Sequence, residues 1–333
     1  MRILLWHVHG SWTTAFVQGS HDYVVPVLPD RGPDGVGRAR TWNWPASVIE
    51  LPPAALREQD FDVVLLQRPE ELELVRRWLG RDPGRQLPAV YLEHNTPDEK
   101  PCTQRHLLAD RTDIPLVHVT HFNKLYWDNG RAPATVIEHG IIDPGVRYTG
   151  ELSRAAVVVN EPGRRGRIVG ADLIEEFLPM APVDVFGMQA RQFAAECRES
   201  AGVAADRLIG YEQEVPTQDR MHTELARRRA YLHLTRWTSL GLTLIEAMQL
   251  AMPVLALAST EAVAAVPPEA GEISTDVRRL AHRLRTLIAE PELARACGLA
   301  ARAAALERYG LKRFLADWDA LLDGLSAMNG LIR

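Results

Sequence analysis

The stretch from Thr238 to Pro253 joins a small polar turn to an amphipathic helix that carries a single carboxylate. The turn consists of Thr238, Ser239, Leu240 and Gly241, and the helix is predicted to begin near Leu242. The first turn of a helix presents backbone N–H groups without partners inside the helix, and the helix dipole adds partial positive charge there. Because Gly241 also lets the backbone approach a ligand closely, this turn is suited to phosphate oxygens.

Glu246 lies about one turn into this helix, where its carboxylate can accept two hydrogen bonds from the cis-diol of a ribose. A diphosphate at the helix start and a ribose at Glu246 together describe one nucleoside diphosphate. Leu244, Ile245 and Met248 form the apolar stripe of the helix and are predicted to be buried. On spacing alone, a solvated glutamate on an exposed helix face is the favoured alternative.

The same segment resembles the signature of retaining glycosyltransferases of the GT-B fold, family 4. In that signature a Gly-Leu turn enters a helix bearing Leu-Glu-Ala-Met, and Gly-x-Pro-Val follows. Here Ile245-Glu246-Ala247-Met248 and Met252-Pro253-Val254 match, whereas Ala251 replaces the glycine. The resemblance implies transfer of a sugar from a nucleotide diphosphate to an acceptor hydroxyl with retention of configuration. The family has a second glutamate, in contact with the transferred sugar, eight positions before Glu246, and this chain has Thr238 there.

A second resemblance concerns the cations that neutralise the departing diphosphate. The family carries a Gly-Arg pair and, five positions after the arginine, a lysine before glycine. Gly163-Arg164 fits the pair, but Val169 stands in place of the lysine. We therefore expect Arg164 to contact the diphosphate, with Arg167 or Arg165 supplying the missing charge. A solvated basic loop is the alternative.

The first half of the chain resembles the family less closely. Trp6 to Gly10 is similar to the first strand and turn of the family, without its paired glycines, and implies that Gly10 lies at the donor. Tyr91 to Asn95 is similar to the strand end that places a histidine at the cleft between the domains. The resemblance makes His94 the candidate for contact with the donor sugar. From the sequence alone, a structural hydrogen bond is the favoured role of this histidine.

The elements that must position these residues follow an alternation of short apolar runs and helix-length segments, which is typical of parallel strands covered on both faces. Six strands are predicted in the first half: 2–8, 23–27, 62–66, 89–93, 116–120 and 135–138. Five follow in the second half: 155–160, 183–186, 207–209, 230–234 and 253–257. The tail from Asp276, a predicted N-cap, to Ala327 is predicted to be helical, with breaks near Pro291 and Gly310.

This pattern predicts an α/β protein of two doubly wound, Rossmann-like parallel-sheet domains. The resemblance adds that the domains face each other across a cleft, in the GT-B arrangement. We expect an acceptor-side domain over residues 1–145 and a nucleotide-sugar-binding domain over residues 146–310. Residues 311–333 are expected to form a helix that crosses back to the first domain.

Composition narrows the functional classes. The 333 residues carry a net charge of -5, which gives no general attraction to nucleic acid, and three dispersed cysteines suit a reducing compartment. The N-terminus reads as a first strand rather than a signal peptide, and no long apolar run is present, so we expect a cytoplasmic protein. A basic stretch from Arg76 to Arg85 could dock on an anionic membrane surface, but acidic neighbours favour a solvated helix.

Sequence motifs for a metal site and for a dinucleotide site are either weak or absent. Asp60-Phe61-Asp62 and Asp317-Trp318-Asp319 match a metal-binding Asp-x-Asp pattern, but the first enters a strand and the second lies on a terminal helix. We therefore predict no metal and no cofactor other than the nucleotide sugar as co-substrate. The absence of a Gly-x-Gly-x-x-Gly motif after the first strand argues against a dehydrogenase.

The loops 29–45, with Trp42 and Trp44, and 95–113 are either substrate loops or plain surface excursions. The donor base stays open among UDP, GDP and ADP, and the acceptor among a glycan, a lipid-linked compound and a small molecule. Two alternatives to a retaining transferase also stay open. One is a protein that binds nucleotide sugar without turnover. The other is an inverting transferase with His9, His94 or Glu93 as its base.

Overall fold

The computed structural model describes residues 1–212 and 216–330 of the chain. These residues form two compact units, each with its own parallel sheet. The first unit combines Met1–Ile142 with the segment from Leu311 onward, and the second is Asp143–Gly310.

The first unit is built on a sheet of seven parallel strands in the order β3-β2-β1-β4-β5-β6-β7. Its elements are β1 (Arg2–Leu5), α1 (Gly10–Phe16), β2 (Asp22–Pro26), β3 (Val48–Leu51), α2 (Pro53–Leu56), β4 (Val63–Leu66), α3 (Pro69–Leu79), β5 (Ala89–Glu93), β6 (Leu116–His118), α4 (His121–Tyr126) and β7 (Ala134–Val136). The central strands β4 and β5 are buried along their whole length. Their continuous apolar character follows from coverage on both faces of the sheet.

The second unit repeats this plan with six parallel strands in the order β10-β9-β8-β11-β12-β13. Its elements are β8 (Leu152–Val158), α5 (Pro162–Arg165), α6 (Ile174–Phe177), β9 (Val183–Phe186), α7 (Ala190–Ala201), β10 (Leu208–Tyr211), α8 (Gln218–Leu225), β11 (Arg228–His233), α9 (Leu242–Gln249), β12 (Val254–Leu257), α10 (Ala262–Ala265), β13 (Gly271–Ser274), α11 (Val277–Ala289) and α12 (Pro291–Tyr309). Short 3₁₀ turns occupy Gly166–Val169, Ala171–Leu173 and Pro268–Ala270.

The last helix, α13 (Leu311–Gly330), belongs to the first unit. Phe314 and Trp318 from this helix are buried, and their rings contact the ring of Trp12 on α1 at centroid distances of 5.9 and 5.7 Å. Large aromatic side chains contribute much of a core's apolar area, so this cluster fixes α13 against α1. The predicted helical tail is confirmed, with Asp276 capping α11 by accepting a hydrogen bond from the Arg278 amide at 3.0 Å.

All eleven predicted strands are present, with ends that differ from the prediction by at most three residues. The sequence prediction missed β3 and β13, which lie at the edges of their sheets. An edge strand pairs on one side only, so it needs less continuous apolar sequence than a central strand. The Val-Ile-Glu-Leu of β3 and the Gly-Glu-Ile-Ser of β13 accordingly carry an acidic residue each.

Chain order in each sheet reverses beside the first strand of the unit, between β1 and β4 and between β8 and β11. In open parallel sheets, connections leave in opposite directions at such a point and open a crevice at the carboxyl ends of the strands. The loops after β1, β4, β8 and β11 are therefore the places where a ligand site is expected on each sheet.

Candidate functional site

A cavity of about 150 Å³ lies where β8 and β11 end, at the switch point of the second sheet. It is lined by Val158, Val159, Asn160, Arg165, Val169, His233, Thr235, Thr238, Gly241 and Thr243. Pockets that enclose a whole small-molecule ligand usually measure roughly 300–1,000 Å³. The volume of this cavity therefore suits one part of a larger ligand, such as a diphosphate.

The start of α9 forms one wall of this cavity. Gly241 is its N-cap residue, no side chain caps it, and its first turn carries no acidic residue among those described. The Thr243 hydroxyl in that turn lies 3.0 Å from the hydroxyl of buried Tyr231. The unshielded helix start thus offers backbone donors and partial positive charge to an anion in the cavity. The predicted helix start at Leu242 is confirmed.

The three arginines of the 163–167 segment have different surroundings. Arg164 is exposed and forms an ion pair with Glu161, and exposed Arg167 forms one with Asp172 at 2.9 Å. Arg165 is half-buried, lines the cavity, and has no hydrogen-bond or ion-pair partner for its guanidinium among the described residues. Burial is the main cause that lowers the pKa of Arg165, and the charge of Arg164 adds to it.

The structure therefore brings Arg165, and not Arg164 or Arg167, to the cavity wall. Sequence reasoning named Arg165 only as one of two substitutes, because a basic loop gives no signal for which side chain turns inward. Val169, at the position of the family's lysine, also lines the cavity and is 4% exposed. Within the part of the chain that the structure describes, Arg165 is thus the one permanent cation in the cavity lining.

Glu246 is 2% exposed, so it is not a solvated surface residue. Its Oε2 accepts a hydrogen bond from Nε2 of Gln218 at 2.6 Å and lies 3.3 Å from Nε2 of His222, both on α8. These contacts hold an ionisable carboxylate inside the unit and orient it, as a buried charge requires. Gln218 and His222 were not identified from the sequence, since α8 is distant from α9 along the chain.

His233, the last residue of β11, is a further group that the sequence did not reveal. Its imidazole is 5% exposed and lines the cavity, and it has no hydrogen-bond partner among the described residues. A Cβ placed on Gly241 would lie 2.7 Å from Cε1 of His233, so the ring lies directly against the helix start. Burial lowers the pKa of His233 to about 4, which keeps the ring neutral near pH 7.

In the first unit, His94 follows β5 and is 8% exposed. Its Nε2 lies 2.9 Å from Oε1 of Gln67, whose Nε2 donates to the carbonyl of Trp6. Because the Gln67 amide is oriented in this way, Nε2 of His94 must donate and Nδ1 carries a lone pair. Burial lowers the pKa of His94 well below its ordinary value, and neighbouring histidines add to this. His94 is therefore a neutral acceptor at the end of β5.

Two further histidines lie beside His94. The ring of His9, the N-cap residue of α1, lies with its centroid 4.0 Å from that of His94, and burial lowers its pKa to about 4. His139, 3% exposed, has its pKa lowered to about 3 by burial, with contributions from His9 and Arg313. Gly10 opens α1, and a Cβ placed on it would lie 3.3 Å from Nε1 of Trp42.

Side-chain hydrogen bonds and contacts anchor parts of the loops 29–45 and 95–113 in the first unit. Trp44 is 8% exposed and donates through Nε1 to the hydroxyl of Thr14 at 2.8 Å, so its ring serves local packing. In the loop 95–113, His106 contacts Oε2 of Glu93 at 3.2 Å and is fully buried as a side chain. These contacts anchor part of each loop, while residues 98–103 of the second loop are exposed.

The described residues contain neither a metal-binding cluster nor a membrane-spanning helix. Within residues 1–212 and 216–330, no three or more His, Cys, Asp or Glu side chains are grouped so that they could hold a metal ion. None of the described helices is long and apolar enough to cross a membrane.

No protein-family model matches the sequence, and no curated protein sequence matches it either. Solved structures do match. Sucrose-phosphate synthase from Thermosynechococcus elongatus is 14% identical with a TM-score of 0.71, over 98% of this chain and all (100%) of that one. Anabaena HepE in complex with UDP is 13% identical with a TM-score of 0.69, over 97% of this chain and 100% of that one.

TarM, a longer chain, also has a similar structure, at 12% identity and a TM-score of 0.62 over 78% of this chain. The present chain spans about half of it, 54% of its length. At these identities the likeness concerns the fold, and it agrees with the two parallel sheets described above. The chain therefore has the GT-B fold of these glycosyltransferase structures, with a Rossmann-like parallel sheet in each of its two units.

Proposed function

We propose that the chain is a glycosyltransferase that moves a sugar from a nucleotide diphosphate to an acceptor hydroxyl. The observation that carries this proposal is the cavity at the switch point of the second sheet, where the start of α9 and the guanidinium of Arg165 line one small space. A helix start and an unpaired arginine together match the charge and the oxygen acceptors of a diphosphate.

In this proposal Gly241, with the neighbouring backbone from Ser239, and Arg165 bind the diphosphate. Glu246, one turn further along α9, binds the ribose hydroxyls. Gln218 and His222 hold the carboxylate of Glu246 ready for that contact, since Gln218 donates to Oε2 and Nε2 of His222 lies 3.3 Å from it. Thr238 lines the cavity in place of the glutamate that the related family uses for the sugar.

We propose a UDP sugar as the donor in preference to a GDP or ADP sugar. HepE from Anabaena was crystallised with UDP and with UDP-glucose, and a TarM variant from S. aureus with UDP, fondaparinux and α-GlcNAc-glycerol. These neighbours support a uridine donor and a glycan acceptor for the present chain. The proposal includes a cytoplasmic location and a reaction that needs no metal.

The chemistry follows from charge. As the bond to the diphosphate breaks, negative charge grows on the leaving oxygen, and positive groups already fixed around it stabilise that charge without reorganisation. The departing phosphate can take the proton of the acceptor hydroxyl on the same face of the sugar. Such a step retains configuration and requires no protein base.

The first test is calorimetric titration with UDP, GDP and ADP of the wild type and of Glu246→Gln. The loss of charged hydrogen bonds to the ribose is worth about 1.5–3 kcal/mol, so the substitution is expected to weaken binding roughly 10- to 150-fold. Glu269→Gln, an exposed glutamate of the same unit, is the matched control and should bind as the wild type does. If no nucleotide binds, or if Glu246→Gln keeps full affinity, the assignment is wrong.

A second candidate, an inverting transferase, is favoured by the neutral pair of His9 and His94. An inverting reaction needs a base for the acceptor hydroxyl, and Nδ1 of His94 is a neutral acceptor at ordinary pH. The anomeric configuration of the product, read by NMR, separates the two mechanisms. A chain that binds nucleotide but forms no product with labelled donors would be a binding protein instead.

A further inference from the structure

We infer that His233 is the second positive group for the diphosphate, taking up a proton from solvent when the nucleotide binds and returning it on release. This inference rests on the proposed function and identifies how the chain meets the charge of its ligand. It concerns a residue at the end of β11 that no part of the sequence resemblance assigns.

The positive charge that lines the cavity is smaller than the negative charge of the proposed diphosphate ligand. A diphosphate within a nucleotide sugar carries two negative charges, and a free nucleoside diphosphate carries more. Among the described residues that line the cavity, Arg165 is the one permanent cation, because the position of the expected lysine holds buried Val169. Desolvated anions need compensating charge, so an additional cation is required in or beside this space.

His233 is the group placed to supply that charge. Its ring lines the cavity, lies against the N-cap residue of α9, and makes no hydrogen bond to the described protein. A buried imidazole without a partner is costly unless something else meets its polar nitrogens. A phosphate oxygen in the cavity is such a partner, and it would accept a hydrogen bond from the protonated ring at the start of the helix.

Among the described residues that line the cavity with His233, Arg165 is the charged one. From the segment after β8, Arg165 lines the cavity, while Arg164 and Glu161 pair with each other. On α9, the first turn has no acidic residue and presents the Thr243 hydroxyl, which meets the Tyr231 hydroxyl.

Two further elements near the ring present uncharged side chains. The loop after β11 contributes Thr235 and Thr238 to the cavity, and Arg236 in that loop pairs with Asp172 instead. On β12, the residue opposite His233 is Ala256. The protonation state of the ring therefore depends on burial and on whatever anion enters the cavity.

Without ligand, burial keeps the ring neutral, with a pKa of about 4. A nearby anion favours the charged form and raises this pKa. Between the free and bound values, binding then takes up a proton, and affinity falls as the pH rises, by at most about tenfold per pH unit. Above the pKa of His233 in the complex, the protonation of this ring no longer makes affinity depend on pH.

The test is calorimetric titration of the folded chain with UDP at pH 6, 7 and 8, in Pipes and in Bis-Tris, which differ in ionisation enthalpy and so reveal proton uptake. The variant is His233→Gln, which keeps a polar side chain but cannot become charged. The ionisation of UDP itself is common to both proteins and cancels in the comparison. His282→Gln, an exposed histidine on α11, is the control.

We expect the wild type and His282→Gln to take up more protons at pH 6 than His233→Gln, and to bind UDP at least tenfold more tightly at pH 6 than that variant does. Equal proton uptake by wild type and His233→Gln, with equal affinity at all three pH values, would overturn the inference and leave the proposed function intact. Absence of UDP, GDP and ADP binding at every pH overturns both. Proton uptake by the wild type is measured without any variant, so a folding defect in His233→Gln does not leave the question open.

Discussion

Arg165 offers the sharpest test of how the second unit binds a diphosphate, because two neighbouring arginines serve as matched controls. The perturbation is Arg165→Gln, beside Arg164→Gln and Arg167→Gln. All three remove one positive charge within a few residues of the cavity. They differ in surroundings, since Arg164 and Arg167 already pair with carboxylates and are exposed, whereas Arg165 is half-buried without an ion pair.

The expected magnitude follows from that difference. A charge-assisted hydrogen bond is worth about 1.5–3 kcal/mol, which corresponds to roughly 10- to 150-fold in affinity. Arg165 makes no ion pair with any described residue that the substitution would break, so the loss falls on the complex. Thermal stability should be unchanged or slightly higher, because a half-buried cation is replaced by a neutral side chain.

The assay is calorimetric titration with UDP and with UMP at two salt concentrations. Arg165→Gln should weaken UDP binding by the stated factor and UMP binding by less, because UMP brings only one phosphate to the proposed diphosphate site. Arg164→Gln and Arg167→Gln should change UDP affinity by less than about threefold, as exposed charges are screened by water and salt. If either control variant loses as much affinity as Arg165→Gln, the cavity is not the diphosphate site.

Two further predictions concern stability. Asp184 is fully buried and accepts from Arg154 at 2.8 Å and from buried Arg228 at 2.7 Å, so Asp184→Asn should lower the free energy of unfolding by about 3 kcal/mol in urea, whereas Asp110→Asn at an exposed pair should change it little. Burial lowers the pKa of His118 to about 4, below its ordinary value, so the unfolded chain binds more protons and stability falls as the pH drops from about 6.5 towards 4. Urea unfolding across this range should show the loss, and His118→Gln should flatten it by up to about 3 kcal/mol. If Asp110→Asn lowers the free energy of unfolding as much as Asp184→Asn does, the first prediction is wrong. If the pH dependence of the free energy of unfolding is the same in His118→Gln as in the wild type, the second is wrong.

The central strands could be predicted because their residues are apolar on both faces, which few other structures allow. Val63–Leu66 is read directly from such a run, whereas Asp184 interrupts the apolar residues of Val183–Phe186. The strands β3 and β13 escaped prediction, and both lie at sheet edges, where a strand has one open side; the other two edge strands, β7 and β10, were predicted. The helix start at Leu242 was equally legible, since a glycine turn followed by a 3.6-residue apolar period is a local pattern.

The candidate site likewise has some features that the sequence predicts and others that it does not. The sequence by itself determined the α/β class, the α9 turn with Glu246, and a basic loop near position 165, because these depend on local spacing and on a family resemblance over a continuous segment. Which arginine faces the cavity, which helix holds Glu246, and the position of His233 against Gly241 were decided only by tertiary structure. These contacts join β8, α8, β11 and α9, which are far apart along the chain and meet only when the parallel sheet brings their ends to one edge.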